Sequence, residues 1–251
     1  MKKIAAVVAC LFALTFSFAQ DTLVNITTPP IDREPIKPLK ISNRSGDHLM
    51  IQISSDHLSN MPDSISSHQK GLSRGFNAYF MFDKPFRSSP KFSIGIGVGV
   101  GTSNIFFKKM AVDLKAGGDI LPFRAQDSTD HFKKYKLTTA FAEVPLEFRF
   151  TSNSDDPNRS FKIALGAKFG TILNAHTKGK TLQNKNNNTV NNYIQKENTR
   201  RLLNGTRFMG TARVGYGIIS LFGAYQLNNL LKDGAGADMK LYQVGITLSG
   251  L

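Results

Sequence analysis

The sequence predicts an all-β fold: an eight-stranded antiparallel up-and-down barrel spanning an outer membrane, behind an N-terminal periplasmic tether. Three observations predict it. The chain opens on an export signal, and from residue 74 onward apolar side chains recur at every second position over runs long enough to cross a bilayer. The faces opposite those apolar rows carry bare glycine or isolated charge, neither of which would coat a soluble protein.

The opening "MKKIAAVVACLFALTFSFAQ" has Lys2 and Lys3, an apolar stretch from Ile4 to Phe18, and small residues Ser17 and Ala19 ahead of a cut before Gln20. Residues 1–19 are therefore expected to be removed on export. The apolar stretch is shorter than the roughly 20 residues that a spanning helix needs, which argues against a retained anchor. Cys10 is the only cysteine and lies inside the signal, so the mature chain has no disulfide and no thiol chemistry. A lipoprotein cut at Cys10 is disfavoured by the six-residue apolar core ahead of it.

Residues 20–73 differ in character. "TTPPIDREPIKPLK" is rich in proline and polar groups, and predicts a mostly extended tether. Within it, "HLMIQIS" alternates weakly and is a candidate short strand of unassigned placement, followed by a turn or helical fragment near "SDHLSNMPDSI".

The barrel is expected over 74–251, in eight runs. "RGFNAYFMFD" (74–83) and "KFSIGIGVGVG" (91–101) come first, then "KMAVDLK" (109–115), the weakest, and "KLTTAFAEVPLEFRF" (136–150). "FKIALGAKFGTIL" (161–173), "TRFMGTARVGY" (206–216), "IISLFGAYQL" (218–227) and "MKLYQVGITLSG" (239–250) complete the set. Most reach the roughly 9 to 11 residues of a tilted transmembrane strand. Connections should then alternate sides, with 84–90, 116–135, 174–205 and 228–238 outside, and 102–108, 151–160 and a tight turn near Gly217 inside.

The face opposite each apolar row sets the orientation. In the second run it holds Gly95, Gly97, Gly99 and Gly101; in the fourth, Glu143, Glu147 and Arg149; in later runs Lys162, Lys168, Arg207 and Arg213. Lipid matches the apolar rows, while a narrow lumen takes small residues opposite a limited number of long charged ones. An unpaired charge in a tight lumen costs several kcal/mol, so Glu143 and Glu147 are expected to face Lys162, Lys168, Arg207 or Arg213 in a hydrogen-bonded network.

Charge and motifs narrow the function. Lys and Arg number 32 against 18 Asp and Glu, for a net charge of +14. Export and the dispersal of the basic residues argue against nucleic acid and leave anionic lipid or acidic polymers. The asparagine-rich segment 174–205 concentrates Lys178, Lys180, Lys185, Lys196, Arg200 and Arg201 against Glu197. As a mobile outer loop it would either meet lipopolysaccharide phosphates or stand solvated without a dedicated partner. "GIGVGVG" lacks the third glycine of a dinucleotide fingerprint, since Thr102 and Asn104 stand where it would be needed. Of five histidines only His176 falls near a barrel rim, and no serine near it has a nucleophile context. No catalytic residue, metal site or cofactor is expected.

"SRGFNAYFMFDKPF", "FSIGIGVGVGTSN", "FAEVPLEFRF" with its mid-strand Pro145, "FKIALGAKFG" and the closing "RVGYGIISLFGAYQLNNLLKDGAGADMKLYQVGITLSGL" resemble the PorT-like outer-membrane β-barrel proteins over most of residues 73–251. The resemblance implies a small transmembrane barrel with a link to a secretion apparatus, and brings no catalytic or ligand residues. Leu251 departs from the aromatic residue common at the end of outer-membrane proteins. The leading expectation is a non-enzymatic outer-membrane protein with a structural or interaction role, accessory to secretion or envelope assembly, whose tether and outer loops meet a periplasmic or secretion-machinery protein. A small-solute channel and a soluble periplasmic barrel binding an apolar ligand stay open as alternatives.

Overall fold

The computed structural model describes residues 48–250. The expected export signal and residues 20–47 of the expected tether lie outside them. Among the described residues eleven strands form: β1 (Leu49–Ser59), β2 (Arg74–Pro85), β3 (Phe92–Phe107), β4 (Met110–Val112), β5 (Phe123–Ala125), β6 (His131–Thr151), β7 (Phe161–Gln183), β8 (Thr189–Asn198), β9 (Thr206–Tyr216), β10 (Ile219–Gln226) and β11 (Lys240–Ser249). Eight of them close an antiparallel ring in the order β1-β2-β3-β6-β7-β9-β10-β11, and β11 returns to β1. Closure leaves no barrel edge with unpaired backbone groups, which hydrocarbon cannot satisfy.

Two expectations about the strands are corrected, and together they leave the number at eight. The first barrel strand is β1, inside the segment expected to be tether, so the barrel begins at Leu49 and not at residue 74. Ile53 stands opposite Phe76 on one side and Ile246 on the other. The alternation of β1 is weak because its inward face is Gln52, Ser54 and Asp56 and its outward face ends in Ser55 and His57; pairing with both ends of the ring makes it a strand. The second correction concerns run 109–115. Only Met110–Val112 is extended, paired with Phe123–Ala125 in a separate two-stranded sheet, far too short to cross a bilayer. Its alternation reports burial under a cap: Met110, Val112 and Leu114 belong to an apolar cluster with Leu58, Phe107 and Leu137.

The side assignments shift accordingly. Segment 84–90, expected outside, joins 152–160 and the turn at Gly217 at one end of the barrel, while 102–107, expected inside, completes β3. The short connections (86–91, 152–160 and 217–218) thus share one end, which by the rule of short periplasmic turns faces the periplasm. Gly217, at φ 61°, supplies the left-handed residue of the tightest turn. The long connections (60–73, 108–130, 184–205 and 227–239) share the other end. There β6 and β7 run on beyond the ring and β8 folds back onto β7, so the segment expected to be a mobile loop is largely a hairpin with its turn at 184–188.

The outward face is apolar around the ring. Phe80 is 64% exposed, Leu146 44% and Leu221 63%, while the alternate residues are buried. On β3 the row runs from Phe92 to Val100, roughly 20–25 Å along the axis of a tilted strand, the height of the lipid-facing band. Phe92 lies 5.7 Å from Phe148 and 5.2 Å from Phe150 between ring centroids, near the short-turn end. Phe169 and Phe208 meet at 5.0 Å towards the opposite margin. Such paired rings match the aromatic girdles where a barrel meets the two interfaces.

Candidate functional site

The lumen is the most densely organised polar region, and its geometry follows from strand register. Glu143 and Glu147 project inward from β6 on either side of Pro145. The β3–β6 ladder is interrupted between Glu143 and Leu146, where the proline offers no N–H, while the β6–β7 ladder continues through Pro145 opposite Lys168. The two carboxylates lie within 5% exposure and each meets arginine. Arg207 Nε donates to Glu143 Oε1 at 3.0 Å, and its guanidinium stands 4.0 Å from the centroid of Phe141. The Tyr79 hydroxyl donates to the other oxygen of Glu143, and Lys168 Nζ reaches that hydroxyl at 3.3 Å. Glu147 accepts from Arg149 Nε at 2.8 Å and from Arg213 at 2.9 Å. Lys162 is buried on the same inward face, opposite Thr151 and Gly215.

The glycine face of β3 interlocks with these long side chains. A Cβ on Gly95 would stand 2.7 Å from the Arg149 guanidinium, and one on Gly99 would stand 2.7 Å from Tyr79. Gly101 lies under Glu143 and Asn77, and Gly97 under Met81. The space over these glycines is filled by side chains of neighbouring strands, among them Arg149, Met81, Tyr79 and Glu143.

Several lumen residues escaped sequence reasoning. Asp83 meets Arg149 Nη1 at 3.4 Å and accepts from Ser93 Oγ at 2.7 Å. Asp56, fully buried on β1, accepts from Ser54, from Ser103 and from Gln243 Nε2, the last at 3.1 Å. Gln52 bridges Thr247 at 3.0 Å and Asn77 at 3.3 Å. The polar alternation Gln52-Ser54-Asp56 was the available signal, masked by the assignment of that segment to a tether.

Above this polar layer the loop end is sealed by the apolar cluster. The Tyr135 hydroxyl donates to the Val112 carbonyl at 2.7 Å and accepts the Val112 N–H at 3.0 Å, which pins β4 over the mouth. Leu121 N bonds Ala235 O at 2.8 Å, and Leu203 bridges Leu231, so three loops are tied together.

The six basic residues expected in one outer patch separate. Arg200 Nη1 donates to the Ile172 carbonyl at 3.0 Å and Arg201 to that of Ala116 at 2.6 Å, so both fasten the returning chain to neighbouring backbone. Lys185 sits in the exposed hairpin turn. Lys178, Lys180 and Lys196 share one outward sheet face. His176 on the same face has its Nδ1 3.3 Å from Asn174 Oδ1.

A closed eight-strand ring with an apolar exterior and a charged, filled interior is the geometry of a bilayer-spanning barrel. The family model for the outer membrane protein beta-barrel domain matches residues 19–232, most of the chain. The chain belongs to this family. The match includes β1, in keeping with a barrel that begins before residue 74. Comparison with curated proteins finds no match. Membership places this outer-membrane barrel protein in the outer membrane, and the outward apolar face argues against a soluble barrel with an apolar ligand inside.

Proposed function

We propose that this outer-membrane barrel is a plugged scaffold with a structural or interaction role, neither an enzyme nor a small-solute channel, acting as a PorT-like accessory of protein secretion or envelope assembly. One observation carries the reading. The lumen is occupied by the interlocked Glu143–Arg207 and Glu147–Arg149–Arg213 pairs, and its outer mouth by an apolar cap. A solute path would have to break buried ion pairs whose loss costs about 3–5 kcal/mol each. Contacts are then left to the surfaces at the two ends of the barrel.

The test has two arms. Purified full-length protein in planar bilayers is expected to show no stepwise conductance. Deletion of residues 20–47, which spares β1, is expected to abolish co-purification of a periplasmic partner while heat-dependent gel migration of the barrel persists. Regular single-channel steps, or a partner set unchanged by the deletion, would overturn the proposal. Deleting as far as residue 73 would be uninformative, because it removes a strand of the ring.

A further inference from the structure

Where β6, β7 and β8 rise beyond the ring, their register places five lysines on one face. Lys136 stands directly opposite Lys178, and Lys178 opposite Lys196, giving three lysines side by side in one row; Lys134 stands opposite Lys180 in the next. Like charges directly opposed across strands destabilise a sheet. Here two such rows are stacked with no acid between them. Among the described residues none of the five has an ion-pair partner. Glu197, the acid of the hairpin, pairs with Thr177 and so belongs to the other face.

The location of this face says what would neutralise it. Residues 134, 136, 138, 140, 142 and 144 of β6 alternate in step with the lipid-facing Leu146 and Phe148, so the lysine rows are the upward continuation of the membrane-facing surface. Between the apolar band and the lysines lie polar rows, Thr102–Ala140–Asn174 and Asn104–Thr138–His176–Asn198. Along β3, the row of Phe106 and Lys136 is six residues above Val100, about 15 Å up the axis of a tilted strand, beyond the hydrocarbon. Lys136 turns back towards the membrane: its Nζ donates to Asn104 Oδ1 at 2.6 Å and stands 5.8 Å from the centroid of Phe106. Phe106 with Lys134, Lys136, Lys178 and Lys180 lines a shallow open depression on this face.

We propose that this lysine ladder is a binding site for the phosphate groups of lipopolysaccharide in the outer leaflet. Clusters of four or more lysines beside a membrane surface bind anionic headgroups, and long lysine stems adapt their heads to the height of the phosphates. The ligand resolves the opposed charges that the sheet alone leaves uncompensated. The site goes beyond the plugged-scaffold reading and stands whether or not a periplasmic partner exists.

The experiment uses full-length protein folded in zwitterionic detergent, with the melting midpoint read from heat-dependent gel migration while purified lipopolysaccharide is titrated in. Lipopolysaccharide is expected to raise the midpoint of the wild type. In Lys136→Gln/Lys178→Gln/Lys196→Gln the concentration giving half the effect should rise at least about tenfold. Lys84→Gln/Arg87→Gln/Lys91→Gln, at the short-turn end, should behave as wild type. Without lipopolysaccharide, Lys178→Gln/Lys196→Gln should melt no lower than wild type, since these two lysines lose only repulsion, whereas Lys136→Gln also gives up the bond to Asn104 and the contact with Phe106. If the triple variant does not fold, Lys178→Gln at the centre of the row should still weaken the response about threefold. An unchanged response in the ladder variants would overturn the proposal. So would an equal response to lipopolysaccharide stripped of its phosphates, or to inorganic phosphate alone at matched phosphate concentration, which would mark a free-anion site.

Discussion

Neutralising Glu143 tests the closed lumen most directly. In Glu143→Gln the amide keeps the shape and still accepts from Tyr79, but Arg207 loses its counter-charge while only 1% exposed. Breaking a buried pair on one side costs about 3–5 kcal/mol, whereas an exposed pair is worth about 0–1 kcal/mol. The molecule holds its own control for the second case: Arg124 and Asp113 approach to 3.9 Å with side chains 69% and 36% exposed. Asp113→Asn should therefore cost less than about 1 kcal/mol. Glu143→Gln/Arg207→Met removes both charges and should recover most of the loss, because a pair replaced as a unit is often neutral. The assay is urea unfolding of the detergent-folded barrel followed by far-UV circular dichroism, since the chain has no tryptophan. A loss below about 1 kcal/mol in Glu143→Gln would refute the reasoning. It would mean that water screens the lumen charges, and with that the plugged barrel would give way to a hydrated one.

Three further outcomes are expected. Leu146→Arg, on the lipid-facing row, should destabilise the folded barrel in vesicles by about 2–4 kcal/mol; equal stability would place that row away from the bilayer. Gly99→Ala drives a Cβ into the Ala78 carbonyl and the Tyr79 side chain, whereas one on Gly210 meets nothing within 4 Å. The first should cost about 1–3 kcal/mol and the second less than about 0.5 kcal/mol, and equal melting points would contradict the interlocked lumen. At the loop end, a hydrogen bond from His68 holds the exposed Asp127 carboxyl below its ordinary pKa. Because the folded-state value is the depressed one, this contact is fully present above the ordinary carboxylate range and is lost as pH falls through the folded value. Amide hydrogen exchange in 60–73 and 123–130 should accelerate only in acid, below about pH 4, and acceleration confined to the range between neutrality and pH 5 would count against the contact.

Period-two alternation was enough to orient each recognised strand, because lipid and a crowded lumen demand opposite side chains and every second residue must serve one of them. Thus the position of Glu143, Glu147, Arg149, Lys162, Lys168, Arg207 and Arg213 opposite the apolar rows, and the tight turn at Gly217, are legible in the sequence, and these charged side chains are buried in the ring. Alternation states which face is covered and is silent about what covers it. Met110, Val112 and Leu114 alternate because a cap buries them, in a pattern that a membrane strand shares; Gln52, Ser54 and Asp56 alternate on a lumen face, in a pattern that a polar tether shares. Only ring closure distinguishes the two cases, since β1 is a strand by virtue of pairing with residues 74–80 and 240–249, neighbours that lie far apart in sequence. The partners of each lumen charge and the stacking of Lys134, Lys136, Lys178, Lys180 and Lys196 on one sheet face likewise arise from inter-strand register, a property of the closed barrel that no single segment carries.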